Sequence, residues 1–326
     1  MNAVAQSLGA QGLGPQGLHG QEAQVPSTLE TEIAVTVPEM PAGGAAPGYW
    51  KSVAGRLLRD KVTMGVTLII LAILFITLGA PLVTSHDPYV GSILTRLKPI
   101  GTPGHWLGTD ETGRDLWTRL CYGGRMSLLA AILPVTISLF IGGFLGILAG
   151  YAGGRVGTLI MRTMDVFYAF PSILLAIAIC GLLGNGLSNS IIALAVVFVP
   201  PMVRVSETVT SQARHLDFVE AARASGTTTL QVIRHHVLAN VLGPILVYAT
   251  SLISVSIILS AGLSFLGLGV TPPTPEWGLM LNSLRQAIYV QPYVAALPGL
   301  MIFITSMSFN LMSDGFRSAM DVRLNK

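Results

Sequence analysis

Long stretches without any charged residue dominate this sequence and limit the folds open to it. Five long apolar runs contain no Asp, Glu, Lys or Arg: 62–85, 126–154, 166–203, 237–275 and 286–313. About 20 apolar residues are enough to cross a bilayer as a helix, which satisfies its own backbone hydrogen bonds. Only 11% of the residues are charged, against about 25% in soluble domains. The sequence therefore predicts an all-α, polytopic membrane protein.

Turn and proline signals divide these runs into six spans. A Gly-Asn-Gly turn at 184–186 interrupts the third run, which is expected to form two spans joined by a short outer loop. Only the first part of 237–275 needs to span, because its proline-rich end is typical of an outer loop. Pro171 and the adjacent Pro200 and Pro201 are expected to kink or end the helices that contain them.

The distribution of basic residues gives the orientation of the chain. With the amino terminus inside, 13 of the 19 Lys and Arg residues fall in inner segments and 6 in outer segments. An excess of Lys and Arg on the cytoplasmic side is the rule for membrane proteins. Both termini and the charged loop at 207–240 are therefore expected to be cytoplasmic.

Composition divides the chain into three parts. Residues 1–50 carry four Glu and no Lys or Arg among many small and polar residues. Such a segment cannot bury enough apolar surface to fold, so a disordered cytoplasmic tail is expected there. Residues 51–125 hold the first span and an outer loop, and residues 126–326 hold the membrane core with its cytoplasmic loop at 207–240.

A short amphipathic helix is expected within the outer loop. Thr112 and Asp115 have the spacing of a helix cap, which predicts a helix over residues 114–122 that leads into the second span. Two roles remain open for the charges of Arg114 and Asp115. A structural salt bridge is the simpler one, and control of solute passage is the other.

The loop at 207–240 has the pattern of two short helices joined by a glycine. From Asp217 the sequence has an apolar helical face, and Gly226 is the residue type expected just past a helix end. Thr228 and Gln231 have the spacing of a capping box, which predicts a second helix. A solvated amphipathic loop has the same spacing, so docking to a cytoplasmic partner and simple exposure both remain open on this pattern alone.

Gly142, Gly146, Gly150 and Gly154 recur at every fourth position. On one helix this spacing forms a stripe without side chains, along which a second helix can approach closely. The sequence leaves open whether that second helix belongs to the same subunit or to another one.

The sequence contains no recognisable pattern for catalysis or cofactor binding. It has no GxxxxGK[ST] loop, and therefore cannot hold nucleotide phosphates in the P-loop manner. Cys121 and Cys180 form no CxxC pair, and the adjacent His235 and His236 point about 100° apart on a helix. The net charge of +3 is too small to indicate nucleic acid binding. No cofactor, metal or nucleic-acid partner is expected, and an enzyme is the weakest functional alternative.

Ionisable residues are missing from the centres of the spans. Asp165 and Glu207 fall near predicted inner ends, whereas ion-driven carriers normally have such residues deep in the membrane. Since the chain also has no P-loop, energy, if it is used, must come from a separate subunit. A secondary carrier and a membrane scaffold that transports nothing are the alternatives from other functional classes.

Several strings resemble one transporter family. EAARASG at 220–226 resembles the EAA loop of ATP-binding cassette (ABC) importer permeases. GTDETGRDLWTRLCYGGRMSL at 108–128 and SFLGLGVTPPTPEWG at 264–278 resemble the dipeptide, oligopeptide and nickel permeases, and among these the second, or C-type, permease subunit. The family usually has proline where Ala239 stands, so the local bend that this proline introduces is in question here.

The resemblance implies the transmembrane domain of a type I ABC importer for di- or oligopeptides. Close relatives carry nickel chelates, glutathione, opines or sugars. Its coupling residues would be Glu220, Ala221, Ala222 and Gly226, which in the family transmit ATPase closure to the spans; the alanines keep the helix slim. The implied partners are a paralogous permease in a heterodimer, two cytoplasmic ATP-binding subunits that hydrolyse ATP, an extracytoplasmic solute-binding protein and the lipid bilayer.

Overall fold

The computed structural model describes residues 49–320, with side chains from residue 53 onward. The predicted tail at 1–50 lies outside the described residues except for its last two positions, which begin the first helix. Residues 321–326 lie outside them as well.

The part of the chain that the structure describes consists of helices and connecting loops, without any β-strand. Two 3-10 turns occur at Ile93–Thr95 and Leu284–Tyr289, and a π-helical segment occurs at Ile233–Val237. The helices are α1 (Tyr49–Arg59), α2 (Lys61–Leu78), α3 (Ala80–Val83), α4 (Leu116–Ala152), α5 (Gly154–Tyr168), α6 (Ser172–Leu183), α7 (Leu187–Arg214), α8 (Asp217–Ala224), α9 (Thr229–Val232), α10 (Leu238–Phe265), α11 (Trp277–Ser283) and α12 (Pro292–Met320).

Five helical stretches within residues 49–320 are long and apolar enough to cross a membrane. They are α2, α4, α7, the stretch from α9 through α10 (Thr229–Phe265), and α12. α5 and α6 make a sixth span only when they are taken together, and they meet at an angle of 85°. The predicted all-α membrane fold is therefore confirmed, with the third of the six expected spans broken.

Proline has different effects at the two places where it was expected to interrupt a helix. Pro171 precedes α6, and α5 ends at Tyr168. Proline has no backbone N–H and disfavours helical backbone in the residue before it. Pro200 and Pro201 lie inside α7, which does not end there but continues to Arg214. In packed membrane helices, neighbouring groups compensate for the hydrogen bonds that proline removes.

α4 runs without a break from Leu116 to Ala152. The prediction of a separate helix over 114–122 is therefore wrong, because most of these residues form the first turns of α4. The helix is capped by Asp115, whose carboxylate accepts a hydrogen bond from the Thr118 N–H at 2.8 Å. The division that the sequence suggested between 125 and 126 falls inside this helix.

α4 and α7 pack against each other along the glycine stripe. A Cβ atom added to Gly142, Gly146 or Gly150 would lie 2.8, 2.5 or 2.6 Å, respectively, from an atom of α7. Real Cβ contacts of this length are essentially never seen. These three glycines therefore face a helix of the same subunit, at a contact with no room for a methyl group.

Gly154 does not belong to this stripe, so the prediction of four aligned glycines is wrong at its last position. α4 ends at Ala152, and Gly154 is the first residue of α5. Gly153 and Gly154 have φ angles of 60° and 49°, a backbone region that favours glycine. A Cβ at Gly154 would meet nothing within 4 Å.

Two main clusters of buried apolar residues hold the helices together. One joins α4, α6, α7 and α10 and extends into the 207–240 loop, where Val219, Val232 and Val237 are fully buried. The other joins α2, α4, α11 and α12 and includes the fully buried Leu116 and Trp277. The loop is thus part of the same core as the spans.

We expect Gly146→Ala to destabilise the contact between α4 and α7. The added methyl group overlaps the Val203 carbonyl oxygen, and overpacking of this kind costs about 1–3 kcal/mol. Gly143→Ala is the matched control on the same helix, because a Cβ there meets nothing within 4 Å. Thermal unfolding in detergent should give a lower midpoint for Gly146→Ala than for Gly143→Ala. Equal midpoints would contradict the close contact.

Candidate functional site

Residues 215–237, here called the elbow, connect α7 to α10. α8 has Asp217 and Glu220 in its first turn, where negative charge suits the positive end of the helix dipole. Gly226 follows α8 with a φ angle of 78°, so the predicted helix end at this glycine is confirmed. A Cβ at Gly226 would meet nothing within 4 Å. The backbone conformation, and not lack of space, therefore calls for glycine here.

The second half of the elbow is continuous with the fifth span. Thr228 and Gln231 form the predicted capping box at the start of α9. The Thr228 hydroxyl donates to Gln231 Oε1 at 2.9 Å. The π-helical segment then leads into α10, and the Asn240 side-chain amide donates to the His236 carbonyl at 2.5 Å. The helix passes through Ala239 without ending, so residues Thr229–Phe265 form one continuous helical stretch.

The four predicted coupling residues do not share one face. Glu220 and Ala221 are exposed on α8, and Gly226 is exposed at the turn, whereas Ala222 is half-buried against the core. Adjacent helical residues point about 100° apart, which separates the two alanines. Glu220 forms no ion pair with any side chain of residues 53–320. Its carboxylate is thus available to a partner.

A buried carboxylate lies directly before α11, and the sequence prediction missed it. Glu276 is fully buried and caps α11, accepting hydrogen bonds from the Gly278 and Leu279 N–H groups at 3.0 and 2.8 Å. The Ser127 hydroxyl of α4 donates to the same carboxylate at 2.9 Å. Burial raises the pKa of Glu276, although these hydrogen bonds act to lower it. An acidic residue directly before an apolar helix was the available signal.

Comparison with known proteins identifies the family to which the chain belongs. The profile of a family described as "Binding-protein-dependent transport system inner membrane component" matches residues 142–326. The chain belongs to this family. It is the permease subunit of an ABC importer, a multi-pass protein of the inner membrane, and subunits of this kind transport solute without being catalytic themselves.

Three curated permeases cover most of the chain. A di/tripeptide transport system permease, DppC of Pseudomonas aeruginosa, is 44% identical over 85% of this chain and 91% of its own length. A dipeptide transport system permease, DppC of Alkalihalophilus pseudofirmus, is 40% identical over 84% and 90%. A glutathione transport system permease, GsiD of Pectobacterium atrosepticum, is 39% identical over 84% and 91%.

A solved structure supports the fold of the permease. A chain of the MetNI methionine ABC transporter in an inward-facing conformation matches with a TM-score of 0.51 and 20% identity. The match covers 60% of this chain and 94% of the other. ABC importers of this family work with an ATPase and a solute-binding protein.

The charged residues before α4 form a compact network in the permease. Arg114 and Arg119 lie 2.7 and 3.2 Å from the Asp110 carboxylate, and Arg119 also donates to the Pro88 carbonyl at 2.8 Å. Asp115 caps α4 and contacts His105 at 3.0 Å. Arg114 and Asp115 thus make the structural contacts that were one of their two predicted roles.

The histidines and carboxylates of residues 53–320 do not form a metal site. No group of three or more His, Cys, Asp or Glu side chains in this part of the chain is arranged so that it could hold a metal ion. His86 and His105 have ring centres 5.1 Å apart, with Asp115 beside only the second of them. The buried Cys121 and Cys180 are both free thiols.

We expect the stability of the permease to depend on pH through Glu276. Its pKa in the folded protein is raised above the ordinary value of 4.5, so the folded state binds the proton more tightly than the unfolded state. That contribution is complete below the ordinary pKa and is lost as pH rises through the raised one. The unfolding midpoint of the wild type should fall relative to that of Glu276→Gln as pH increases. Parallel curves would show that this carboxyl group does not titrate.

Proposed function

We propose that this permease passes di- or oligopeptides across the cytoplasmic membrane. In this proposal it pairs with a paralogous permease, two cytoplasmic ATP-binding subunits drive it, and an extracytoplasmic protein delivers the solute. Two relatives named for di- or tripeptides support the peptide as solute. The glutathione permease supports the same chemical class, since glutathione is itself a small peptide.

The orientation of the chain follows from its basic residues. We place both termini and the elbow in the cytoplasm, because most Lys and Arg residues then lie on that side. Residues 79–115 then form an outer segment, and the transport core begins with α4 at residue 116 instead of 126. The stretch at 1–50 is proposed as a cytoplasmic tail. The elbow is the part of the predicted loop at 207–240 that lies outside α7 and α10.

The observation that supports the coupling role is the exposed carboxylate of Glu220, which has no ion-pair partner. It lies on a helix whose opposite face is buried. Val219 of the same helix is fully buried among the spans. A basic group in the cleft of an ATP-binding subunit would pair with Glu220, and the small Ala221 would let α8 approach closely. Ala222 acts on the other side, where it seats α8 on the permease core.

The glycines have two different roles in this proposal. Gly226 allows the reversal between α8 and α9 and so shapes the docking surface. Gly142, Gly146 and Gly150 hold α4 close to α7 within the subunit. Gly154 has no part in that packing.

We expect Glu220→Ala to weaken the retention of the ATP-binding subunits when the membrane complex is purified. Removing one partner of a desolvated charge pair costs about 2–5 kcal/mol. Asp217→Ala is the matched control, an exposed acidic residue one turn earlier on α8. Gly226→Pro should also lose the subunits, because proline cannot adopt a φ angle of 78°.

Two outcomes would count against the coupling role, and two others would favour a different functional class. Equal losses in Glu220→Ala and Asp217→Ala would deny Glu220 a specific contact. A stably inserted wild type that retains no ATP-binding subunit would remove the ABC assembly itself. Uptake that survives without the ATP-binding subunits would favour a secondary carrier, and partner binding without uptake would favour a scaffold.

The solute class is tested in proteoliposomes that contain the complete assembly. ATP hydrolysis should rise when the binding protein is loaded with a dipeptide or with glutathione, and solute should accumulate inside. A nickel chelate serves as the comparison solute. If the chelate stimulates ATP hydrolysis and neither peptide does, the protein would still be an importer, but the proposal of a peptide solute would be rejected.

A further inference from the structure

α5 lies between two interruptions of the helical backbone. At its start, Gly153 and Gly154 have positive φ angles, and at its end Pro171 separates it from α6 at an angle of 85°. Changes of backbone angle at a few such residues are how hinged segments move in proteins. We call Gly153 and Gly154 the hinge.

Few buried contacts hold α5 in place. Of its 15 residues, Gly157 and Met164 alone are buried. Its polar link to α7 is an ion pair, in which Arg204 Nη2 lies 2.7 Å from Asp165 Oδ1. The same guanidinium group stacks over the Tyr168 ring at 4.6 Å. Arg204 and Asp165 are 47% and 41% exposed, and ion pairs this accessible are readily exchanged for water.

A cleft beside the hinge separates part of α5 from α7. It has a volume of about 430 Å³, and its lining includes both hinge glycines, Met161 of α5 and Glu207 of α7. The Glu207 carboxylate forms no ion pair with any side chain of residues 53–320. It lies one helical turn after Arg204, where it offers that arginine a second partner.

The elbow touches the last turn of α4 directly at the hinge. The Arg223 guanidinium of α8 lies over the Tyr151 ring at 4.7 Å. Arg214, at the end of α7, donates to the Tyr151 carbonyl at 3.2 Å. A Cβ at Gly153 would lie 2.5 Å from Arg214 Nη1. Tyr151 therefore contacts α8 of the elbow through its ring and the end of α7 through its carbonyl group.

We propose that α5 is a hinged segment that relays movement of the elbow to the inner end of the solute path, with Tyr151 linking it to the elbow and the Arg204–Asp165 pair holding it against α7. Tyr151, Asp165 and Arg204 are positioning residues for transport. When α8 is displaced, Tyr151 moves the hinge, and α5 separates from Arg204. This proposal rests on the coupling role of the elbow and specifies which part of the membrane domain responds to it.

The movement of α5 is measured as a distance within the complete transporter. Thr158→Cys on α5 and Gln212→Cys on α7 place spin labels at two exposed positions, while the native cysteines are buried. The label distance should change when the ATP-binding subunits are trapped with nucleotide and vanadate. In Tyr151→Ala the complex should form and bind nucleotide, but the distance should stay at its resting value. Tyr151→Phe, which keeps the ring beneath Arg223, should behave like the wild type.

The ion pair is tested by reversing its charges. Asp165→Arg or Arg204→Asp should free α5 and raise ATP hydrolysis in the absence of loaded binding protein by about tenfold, within the usual range of coupling between sites. The combined reversal should bring hydrolysis back toward the wild-type level. A purely structural defect would lower the yield of complex in all three variants without such recovery.

The outcomes separate this proposal from the one on which it rests. A wild-type complex that lacks ATP-binding subunits would overturn the coupling role of the elbow. A wild-type complex that transports solute without any change in the α5–α7 distance would overturn the relay alone. An unchanged response in Tyr151→Ala, or no recovery in the combined charge reversal, would overturn the residue assignments and with them the relay.

Discussion

The close contact between α4 and α7 is the constraint on which the rest of the membrane domain depends. Lipid provides no hydrophobic drive for two helices to associate, so their attraction comes from close packing, and glycine permits the closest approach. Gly142, Gly146 and Gly150 supply that approach. α7 leads from this contact into the elbow, and α4 leads from it to the hinge. The two parts proposed to move are therefore attached to the same rigid pair of helices.

Much of this architecture could be predicted from the sequence, because membrane spans and helix ends depend on local chemistry. Uncharged runs mark the spans, and Gly226 and Thr228 mark the helix ends in the elbow. The sequence could not show that a helix is interrupted at Pro171 but continues through Pro200, because that difference depends on what packs beside each proline. The need for glycine at 124 within α4 also depends on distant residues, because Thr77 and Trp277 pack against it and an added Cβ would lie 2.8 Å from the Trp277 ring.

In the candidate site, too, features set by neighbouring residues could be predicted, whereas contacts between distant residues could not. The motif spacing predicted which residues form the elbow, but not that Ala221 points outward while Ala222 faces the core. Glu276 and Ser127, and likewise Arg204 and Asp165, are far apart along the chain and meet only because the helices pack. Polar residues that pair across the fold leave no short pattern in a single sequence. An analysis that considers only the uncharged runs of the spans does not detect such pairs.

The π-helical segment at Ile233–Val237 has a consequence for how this transporter can diverge. A π turn contains one residue more than the α-helical turn it replaces. Loss of a single residue there would convert the segment to a regular helix and leave α10 undisturbed. Because the π turn absorbs its extra residue locally, the helical faces on either side of it would keep nearly the same relative orientation after such a deletion. The elbow can therefore change in length by one residue here while α9 and α10 stay in register.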